Sequence, residues 1–169
     1  MTCVVGIAEA GRVHLAADSM MCEASGMAGT IVEPKVFIAA HMQWGIAGLA
    51  AWAQTVRYML RVRKRQPREN LSKYLHTEVR PALQNLWEQN HEDESRGPMV
   101  LGVRGRLFEL DETFTAFETR GYHSIGSGAE IALGSLHTSQ GAPIADRLRM
   151  ALEAATEYRV DVRGPWVFL

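Results

Sequence analysis

The chain has 169 residues, of which 47% are hydrophobic and 22% charged, a composition that fits one globular domain over residues 1–169. Its formal net charge of −1 gives no electrostatic footprint for nucleic acid or an anionic membrane. The two cysteines, Cys3 and Cys22, are too few for a disulfide scaffold and lack metal-ligand spacing, and no apolar run approaches the ~18 residues that span a bilayer. We therefore expect a cytosolic protein with no metal, no cofactor, no nucleic-acid partner and no membrane segment.

The N-terminal residues predict a β-hairpin that begins with a threonine. Apolar runs from Thr2 to Ile7 and from Arg12 to Asp18 flank Ala10-Gly11, as in two strands joined by a turn. If Met1 is removed, Thr2 carries a hydroxyl and a primary α-amine, and such an amine can act as the base for its own hydroxyl. Thr is also common at position 2 in proteins that do no chemistry, so this residue alone decides nothing.

Four further positions each have a structural and a functional interpretation. Asp18 either starts a turn or supplies a carboxylate beside Thr2, because a hairpin returns the end of its second strand to the start of its first. Lys35 opens a strand, where a lone lysine is usually a solvated edge charge. Gly48 is a strand-to-helix turn or a point where backbone N–H groups approach a ligand. Ser127 is either a helix N-cap or a hydroxyl left near a helix N-terminus.

The segment after the hairpin, residues 20–34, predicts a loop or irregular hairpin over a cleft. Two helices are then predicted, Leu49–Arg65, in which apolar residues recur at three- and four-residue steps, and Asn70–Gln89, which Pro81 should kink. The acidic cluster 91–94 contains one histidine and predicts a surface loop rather than a metal site.

The remaining elements complete a pattern of strands, two helices, strands, two helices and a final strand. The predicted strands are 35–38, 43–48, 99–103, 106–110, 114–118, 122–125 and 166–169. The later helices are 131–137 and one that starts at Pro143 and ends at Ala155 or Tyr158. This order indicates an α+β fold in which two antiparallel sheets stack face to face with helix pairs outside, a four-layer αββα sandwich.

Five motifs in this order resemble the proteasome β-subunit family over essentially the whole chain. They are Thr2 itself, Ala16-Ala17-Asp18-Ser19, Pro34-Lys35-Val36, Gly45-Ile46-Ala47-Gly48 and Ile125-Gly126-Ser127-Gly128-Ala129. The chain is particularly similar to the bacterial HslV-type peptidases and the small bacterial proteasome homologues. The resemblance implies an N-terminal-nucleophile hydrolase of the αββα fold, and a threonine endopeptidase in particular.

The resemblance also implies roles for the residues of these motifs. Thr2 would be the nucleophile once Met1 is gone, and Asp18 would hold Lys35 as an ammonium that acts on the Thr2 amine and hydroxyl. The backbone N–H of Gly48 would stabilise the oxyanion. Ser127 would form a hydrogen bond near the Thr2 amine.

The same resemblance implies a substrate pocket and an assembly. Met21, Ile46 and Ala50 are expected beside the site, where they would favour uncharged substrate side chains. The chain would form a homo-oligomer of stacked six- or seven-fold rings that encloses polypeptide substrates, and the sequence leaves open whether an ATPase unfoldase ring feeds it. It contains no Gly-rich loop ending in Gly-Lys-Ser/Thr of its own.

The sequence departs from the family pattern at two points, and the first of them motivates an alternative function. Counted from Gly164-Pro165, Arg159 falls at the position of a family aspartate and Val162 at that of a serine, while Asp161 is out of step. The spacing from Lys35 to Gly48 is also about one residue short, which predicts a tighter turn. The alternatives are a ring-forming scaffold of the same fold without proteolytic activity, and a small-molecule amidohydrolase of the same nucleophile class.

Overall fold

The computed structural model describes residues 2–22, 28–90 and 96–169. In chain order the elements are β1 (Cys3–Glu9), β2 (Arg12–Ala17), β3 (Met20–Cys22), β4 (Ala28–Thr30), β5 (Val36–Ala39), β6 (Met42–Ile46), α1 (Ala50–Met59), α2 (Leu71–Tyr74), a π-helical turn (Leu75–Val79), α3 (Arg80–Asn90), β7 (Met99–Val103), β8 (Arg106–Leu110), β9 (Ala116–Glu118), β10 (Tyr122–Gly126), α4 (Ala129–Thr138), α5 (Ile144–Tyr158) and β11 (Val167–Phe168). The acidic cluster 91–94 lies outside the described residues.

Two antiparallel sheets form the centre of the molecule. One has the order β10-β1-β2-β11 and the other β5-β6-β7-β8-β9, while β3 and β4 pair as a separate ribbon. Three apolar clusters separate the layers: one packs the larger sheet against α1, α2 and α3, one packs the smaller sheet against α4 and α5, and one lies between the sheets. The predicted four-layer αββα sandwich is therefore confirmed.

Strand β1 is buried on both faces because it lies in an inner layer. Cys3, Val5 and Ile7 point towards α4 and α5, and Val4 points towards the other sheet. The side chains of these four residues are at most 1% exposed. β1 is also paired on both edges, with β2 and β10, so the residue that precedes it, Thr2, is attached to a rigid part of the fold.

The turn between β5 and β6 accounts for the short spacing noted in the sequence. Ala39 pairs with Met42, which leaves a two-residue loop. Its residues, Ala40 and His41, have φ values of 48° and 65°, as a type I′ hairpin turn requires. The expected tighter turn is present. Both of its residues adopt the left-handed backbone conformation although neither is glycine.

The first predicted helix is too long. α1 ends at Met59, and Leu60 already has an extended backbone with ψ 123°. Leu60 is 1% exposed, so its burial directs the chain away from the helix axis. Beyond it, the guanidinium of Arg63 bonds Glu69 and Glu78. Tertiary contacts thus override the apolar periodicity that suggested a helix as far as residue 65.

The second predicted helix is present but irregular ahead of Pro81. The side chain of Asn70 caps its start by accepting a hydrogen bond from the backbone N–H of Lys73 at 3.0 Å. Proline has no N–H to offer the carbonyl four residues earlier, and the residues just before it, Leu75–Val79, form the π-helical turn. No helix in the described part of the chain is long and apolar enough to cross a membrane.

Candidate active site

Thr2 is held against the connection between β10 and α4. It is 3% exposed, and its backbone nitrogen donates to Oγ of Ser127 at 3.2 Å. Its carbonyl oxygen lies 3.2 Å from Ser127 Oγ and accepts a hydrogen bond from the backbone N–H of Gly128 at 3.4 Å. Gly126 permits this approach, since its φ is +95° and a Cβ there would lie 2.1 Å from the Thr2 carbonyl oxygen.

Ser127 therefore contacts Thr2 rather than capping α4. The N-cap of α4 is Gly128, and no side chain caps that helix end. The N-cap interpretation of Ser127 was wrong, because the glycines on either side of it turn the chain so that its hydroxyl points back to β1.

Asp18 and Lys35 form a buried ion pair next to the start of β1. Nζ of Lys35 lies 2.9 Å from Oδ1 and 3.0 Å from Oδ2 of Asp18, and it donates to the carbonyl oxygen of Met20 at 2.6 Å. Asp18 is 0% exposed and Lys35 8% exposed. The interpretation of Lys35 as a solvated edge charge was therefore wrong.

The Asp18 carboxylate also joins the two segments that flank it. Oδ1 accepts from the backbone N–H of Cys3 at 2.9 Å, and Oδ2 accepts from the backbone N–H of Met20 at 3.0 Å. The second bond is the local turn that an aspartate at a strand end favours, while the first connects Asp18 to the residue after Thr2. Asp18 therefore both forms a turn and supplies a carboxylate beside Thr2, so the two interpretations of this residue are compatible.

A cavity of about 340 Å³ opens in front of Thr2. It brings together most of the sequence-predicted site residues, namely Thr2, Met21, Lys35, Ile46, Gly48 and Ala50. Asp18 and Ser127 do not line the cavity. Asp18 bonds Lys35 and Ser127 bonds Thr2, each from outside the cavity. Gly48 has a φ of +109°, and a Cβ there would lie 3.2 Å from Cα of Gly97. A side chain at position 48 would therefore crowd the neighbouring loop.

One face of α1 forms a wall of the cavity that the motifs did not reveal. Ala50, Ala53, Gln54 and Arg57 all line it, and they follow the i, i+3, i+4, i+7 spacing of one helix face. That spacing was visible in the sequence once Ala50 was assigned to the site. The wall is small and apolar near Gly48, and it ends in the cation of Arg57 about 10 Å further along the helix axis.

An ion pair occupies the part of the cavity beyond the alanines. Arg57 bonds the carboxylate of Glu33, and its guanidinium carbon lies 5.8 Å from the centroid of the Phe37 ring. The hydroxyl of Tyr58 donates to Glu33 at 2.8 Å, and this hydrogen bond raises the pKa of Tyr58. Because Glu33 balances Arg57, the cavity as a whole is apolar with a neutralised polar end.

Asp161, rather than Arg159, is the acidic residue beside Ser127. Asp161 is 2% exposed and accepts a hydrogen bond from the Ser127 side chain. Arg159 lies at the surface and bonds both Asp161 oxygens, at 2.9 and 3.1 Å. Burial acts to raise the pKa of Asp161, but the hydrogen bonds from Arg159 and Ser127 outweigh it and hold that pKa below its usual value.

Counting positions back from Gly164-Pro165 therefore did not identify the acidic residue that lies beside Ser127. It placed Arg159 at an acidic position and Val162 at a serine, whereas the loop after α5 directs Asp161 inward. Val162 is 1% exposed and packs into the cluster under α4 and α5. Only the three-dimensional path of this loop identifies Asp161 as a site residue.

The cysteine next to Thr2 has no sign of reactivity. Cys3 is 0% exposed, and burial raises the pKa of its thiol to about 12, so the thiol stays neutral at neutral pH. It packs as a small apolar residue in the cluster between the smaller sheet and helices α4 and α5. In the portion of the chain that the structure describes, no group of three or more His, Cys, Asp or Glu side chains is placed to hold a metal ion.

The four layers and the position of Thr2 define a fold of the proteasome and N-terminal-nucleophile class. The family model described as "Proteasome subunit" matches residues 1–155. The chain belongs to the proteasome subunit family. No curated protein matches it significantly.

Solved structures with the same fold cover almost the whole chain at low sequence identity. BPH from Thiobacillus denitrificans has a TM-score of 0.78 and 19% identity, and the match covers 99% of this chain and 96% of that one. Eukaryotic HslV from Trypanosoma brucei has a TM-score of 0.72 and 18% identity, with 99% and 98% covered. The Anbu complex from Pseudomonas aeruginosa, described as a helical assembly, has a TM-score of 0.68 and 14% identity, with 100% and 80% covered.

Proposed function

We propose that the protein is a threonine endopeptidase in which Thr2 becomes the N-terminal residue and the nucleophile. The observation that carries this proposal is the buried Asp18–Lys35 pair, whose lysine lines the same cavity as Thr2. A buried ion pair is weak evidence for a purely stabilising role, because its desolvation cost can exceed its Coulombic gain. A pair placed at a cavity beside a hydroxyl is more readily understood as part of a reactive site.

The proposed reaction begins when Met1 is removed and the Thr2 nitrogen becomes an α-amine. An α-amine has an ordinary pKa of roughly 7.7 to 8.0, and the Lys35 ammonium would lower it by disfavouring a second positive charge. The neutral amine then takes the proton of the Thr2 hydroxyl as Oγ attacks the substrate carbonyl. The methyl group of threonine restricts χ1 and so helps to keep Oγ in one orientation.

The next steps would use the groups on either side of Thr2. The backbone N–H of Gly48 would stabilise the oxyanion, an interaction worth on the order of 3 kcal/mol per donor in other enzymes. The protonated amine would give its proton to the leaving nitrogen as the peptide bond breaks, leaving an ester on Thr2. A water molecule activated by the same amine would hydrolyse that ester and release the second product.

The substrate side chain next to the scissile bond would occupy the cavity in front of Thr2. Met21, Ile46 and Ala50 line it and favour uncharged side chains, because a charged group would lose hydration there without finding a partner. The polypeptide substrates would be hydrolysed in the cytosol.

The proposed assembly is a homo-oligomer of stacked six- or seven-fold rings with the sites facing an inner chamber. Membership of the proteasome subunit family supports it. Since a related Anbu complex is described as a helical assembly, electron microscopy of the purified protein should distinguish closed rings from an open helix. An ATPase unfoldase ring that feeds such a chamber would be a further partner of the assembly.

The test compares Thr2→Ala with Thr2→Ser in chains released from a ubiquitin fusion, so that residue 2 is the first residue. Thr2→Ala should lower the rate of casein and fluorogenic peptide cleavage by about a thousandfold or more, because the nucleophile is absent. Thr2→Ser should keep part of the activity. The oligomer mass of each variant serves as the control for assembly. Substantial cleavage by an intact Thr2→Ala assembly would exclude Thr2 as the nucleophile.

A further inference from the structure

The loop after α5 contains an arginine–aspartate pair that connects the protein surface to the site. The Arg159 side chain is 41% exposed, and the Asp161 side chain is 2% exposed. Nε and Nη2 of Arg159 each bond a different oxygen of Asp161, at 2.9 and 3.1 Å. A fork of this kind fixes the plane of a carboxylate as well as its position.

The Asp161 carboxylate is connected to the candidate nucleophile, Thr2, through one intervening side chain, that of Ser127. Asp161 accepts a hydrogen bond from Ser127, and Ser127 Oγ in turn lies 3.2 Å from the backbone nitrogen of Thr2. Arg159, Asp161, Ser127 and Thr2 therefore form one connected chain of polar groups.

We propose that Arg159 is a positioning residue for the reaction. It holds Asp161 so that Ser127 is oriented towards the Thr2 α-amine, and it balances the negative charge that Asp161 brings close to that amine. This inference rests on the proposed function, since it assumes that the Thr2 nitrogen becomes an α-amine. The count from Gly164-Pro165 placed Arg159 where the family has an aspartate and so suggested an impaired site. In this proposal Arg159 instead supports the site.

The charge balance around Asp161 makes the effect of Arg159 measurable. The groups that act on the carboxylate are the Arg159 guanidinium, the Ser127 hydroxyl and the backbone N–H of Asp161 itself. Thr2 also faces the cavity that Lys35 lines, and Lys35 is paired with Asp18, a pair that neither Arg159 variant alters. If Arg159 loses its charge, the carboxylate stays negative without its cation. A nearby negative charge favours the protonated form of an amine, so less of the Thr2 amine would be neutral at a given pH.

The experiment compares Arg159→Gln and Arg159→Lys in chains that begin with Thr2. Its first readout is the pKa of the Thr2 α-amine, obtained from the pH dependence of its acetylation by acetic anhydride and followed by peptide mass spectrometry. Its second readout is the pH profile of kcat/KM on a fluorogenic peptide. Arg106→Gln is the matched control, because Arg106 also forms a two-point bond to an exposed carboxylate, that of Glu118, but far from this loop in sequence.

We expect Arg159→Gln to raise the amine pKa by about half a unit, the order expected for an uncompensated charge one bridging hydroxyl away in a partly solvated site. The acidic limb of the kcat/KM profile should move up by the same amount, and kcat should fall severalfold. Arg159→Lys keeps the charge but not the fork, so it should leave the limb in place while lowering kcat. Arg106→Gln should change neither readout.

An unchanged amine pKa and an unchanged kcat in a folded Arg159→Gln protein would overturn the inference. A lower kcat with the limb unmoved in both Arg159 variants would also overturn it, because a merely structural role for the arginine would produce that result. The amine pKa can be measured without any peptidase activity. If the parent chain cleaves nothing, the proposed function fails, while the acetylation data still decide whether Arg159 acts on the amine.

Discussion

Replacing Asp18 by Asn tests whether the buried ion pair holds the centre of the site together. The carboxylate is 0% exposed and accepts hydrogen bonds from Lys35 and from the backbone N–H groups of Cys3 and Met20. Asn is nearly isosteric, but it is neutral and has only one acceptor oxygen. The Lys35 ammonium would then lie buried without its counter-charge.

The cost follows from the depth of the pair. Removing one partner of a buried ion pair costs about 3–5 kcal/mol, because the remaining charge is left uncompensated, whereas replacing both partners is often close to neutral. We therefore expect Asp18→Asn to lower the free energy of unfolding by about 3 kcal/mol or more. Lys35→Met should cost a similar amount, and the double variant should cost clearly less than the sum of the two.

Urea unfolding of the four proteins measures this cycle, with the coupling energy taken as the departure from additivity. Glu118→Gln is the control, because the Arg106–Glu118 pair has side chains that are 40% and 44% exposed. Exposed pairs contribute about 0–1 kcal/mol. Peptide cleavage should be lost in the double variant even where stability recovers. Additive effects, each below about 1 kcal/mol, would refute the reasoning that the pair is buried and coupled.

Three further predictions concern the cavity, the turn beside Thr2 and the cysteines. Glu33→Gln removes the counter-charge of Arg57, so cleavage after glutamate should rise about tenfold relative to cleavage after leucine, and an unchanged preference in a peptide series would contradict this. Gly126→Ala should lower the melting temperature by several degrees, because its Cβ would lie 2.1 Å from a carbonyl oxygen at a φ of +95°; an unchanged melting curve would show that the contact relaxes. Iodoacetamide at pH 8 should alkylate the half-buried Cys22 but not Cys3, whose pKa is raised to about 12. Labelling of Cys3 in the folded protein, read by peptide mass spectrometry, would contradict its burial.

Much of the fold could be predicted because local patterns and tertiary packing agree in the sheets. The apolar runs around Ala10-Gly11 and Arg104-Gly105 correspond to the hairpins β1–β2 and β7–β8. The end of α1 could not be predicted, because the apolar spacing continues past Met59 while the burial of Leu60 redirects the chain. That information lies in the packing of the helix layer and not in the local sequence.

The candidate site, like the fold, could be predicted from the sequence only in part. Short motifs with fixed spacing gave Thr2, Asp18 and Lys35, and the structure brings these residues close together. Asp161 was missed because the path of an irregular loop, rather than any period, turns it inward. The pair Glu33 and Arg57 was missed because a contact between residues 24 positions apart on different elements leaves no local signal.

The central claim is that the nitrogen of Thr2 must be an α-amine. The most direct test compares one chain that begins with Thr2 with an otherwise identical chain that keeps Met1, each verified by intact mass and by its oligomer mass. We predict that the Thr2-first protein cleaves fluorogenic peptides and that the Met1-retaining protein does not, because its residue-2 nitrogen is an amide and cannot accept the hydroxyl proton. Equal cleavage by both forms would contradict the account.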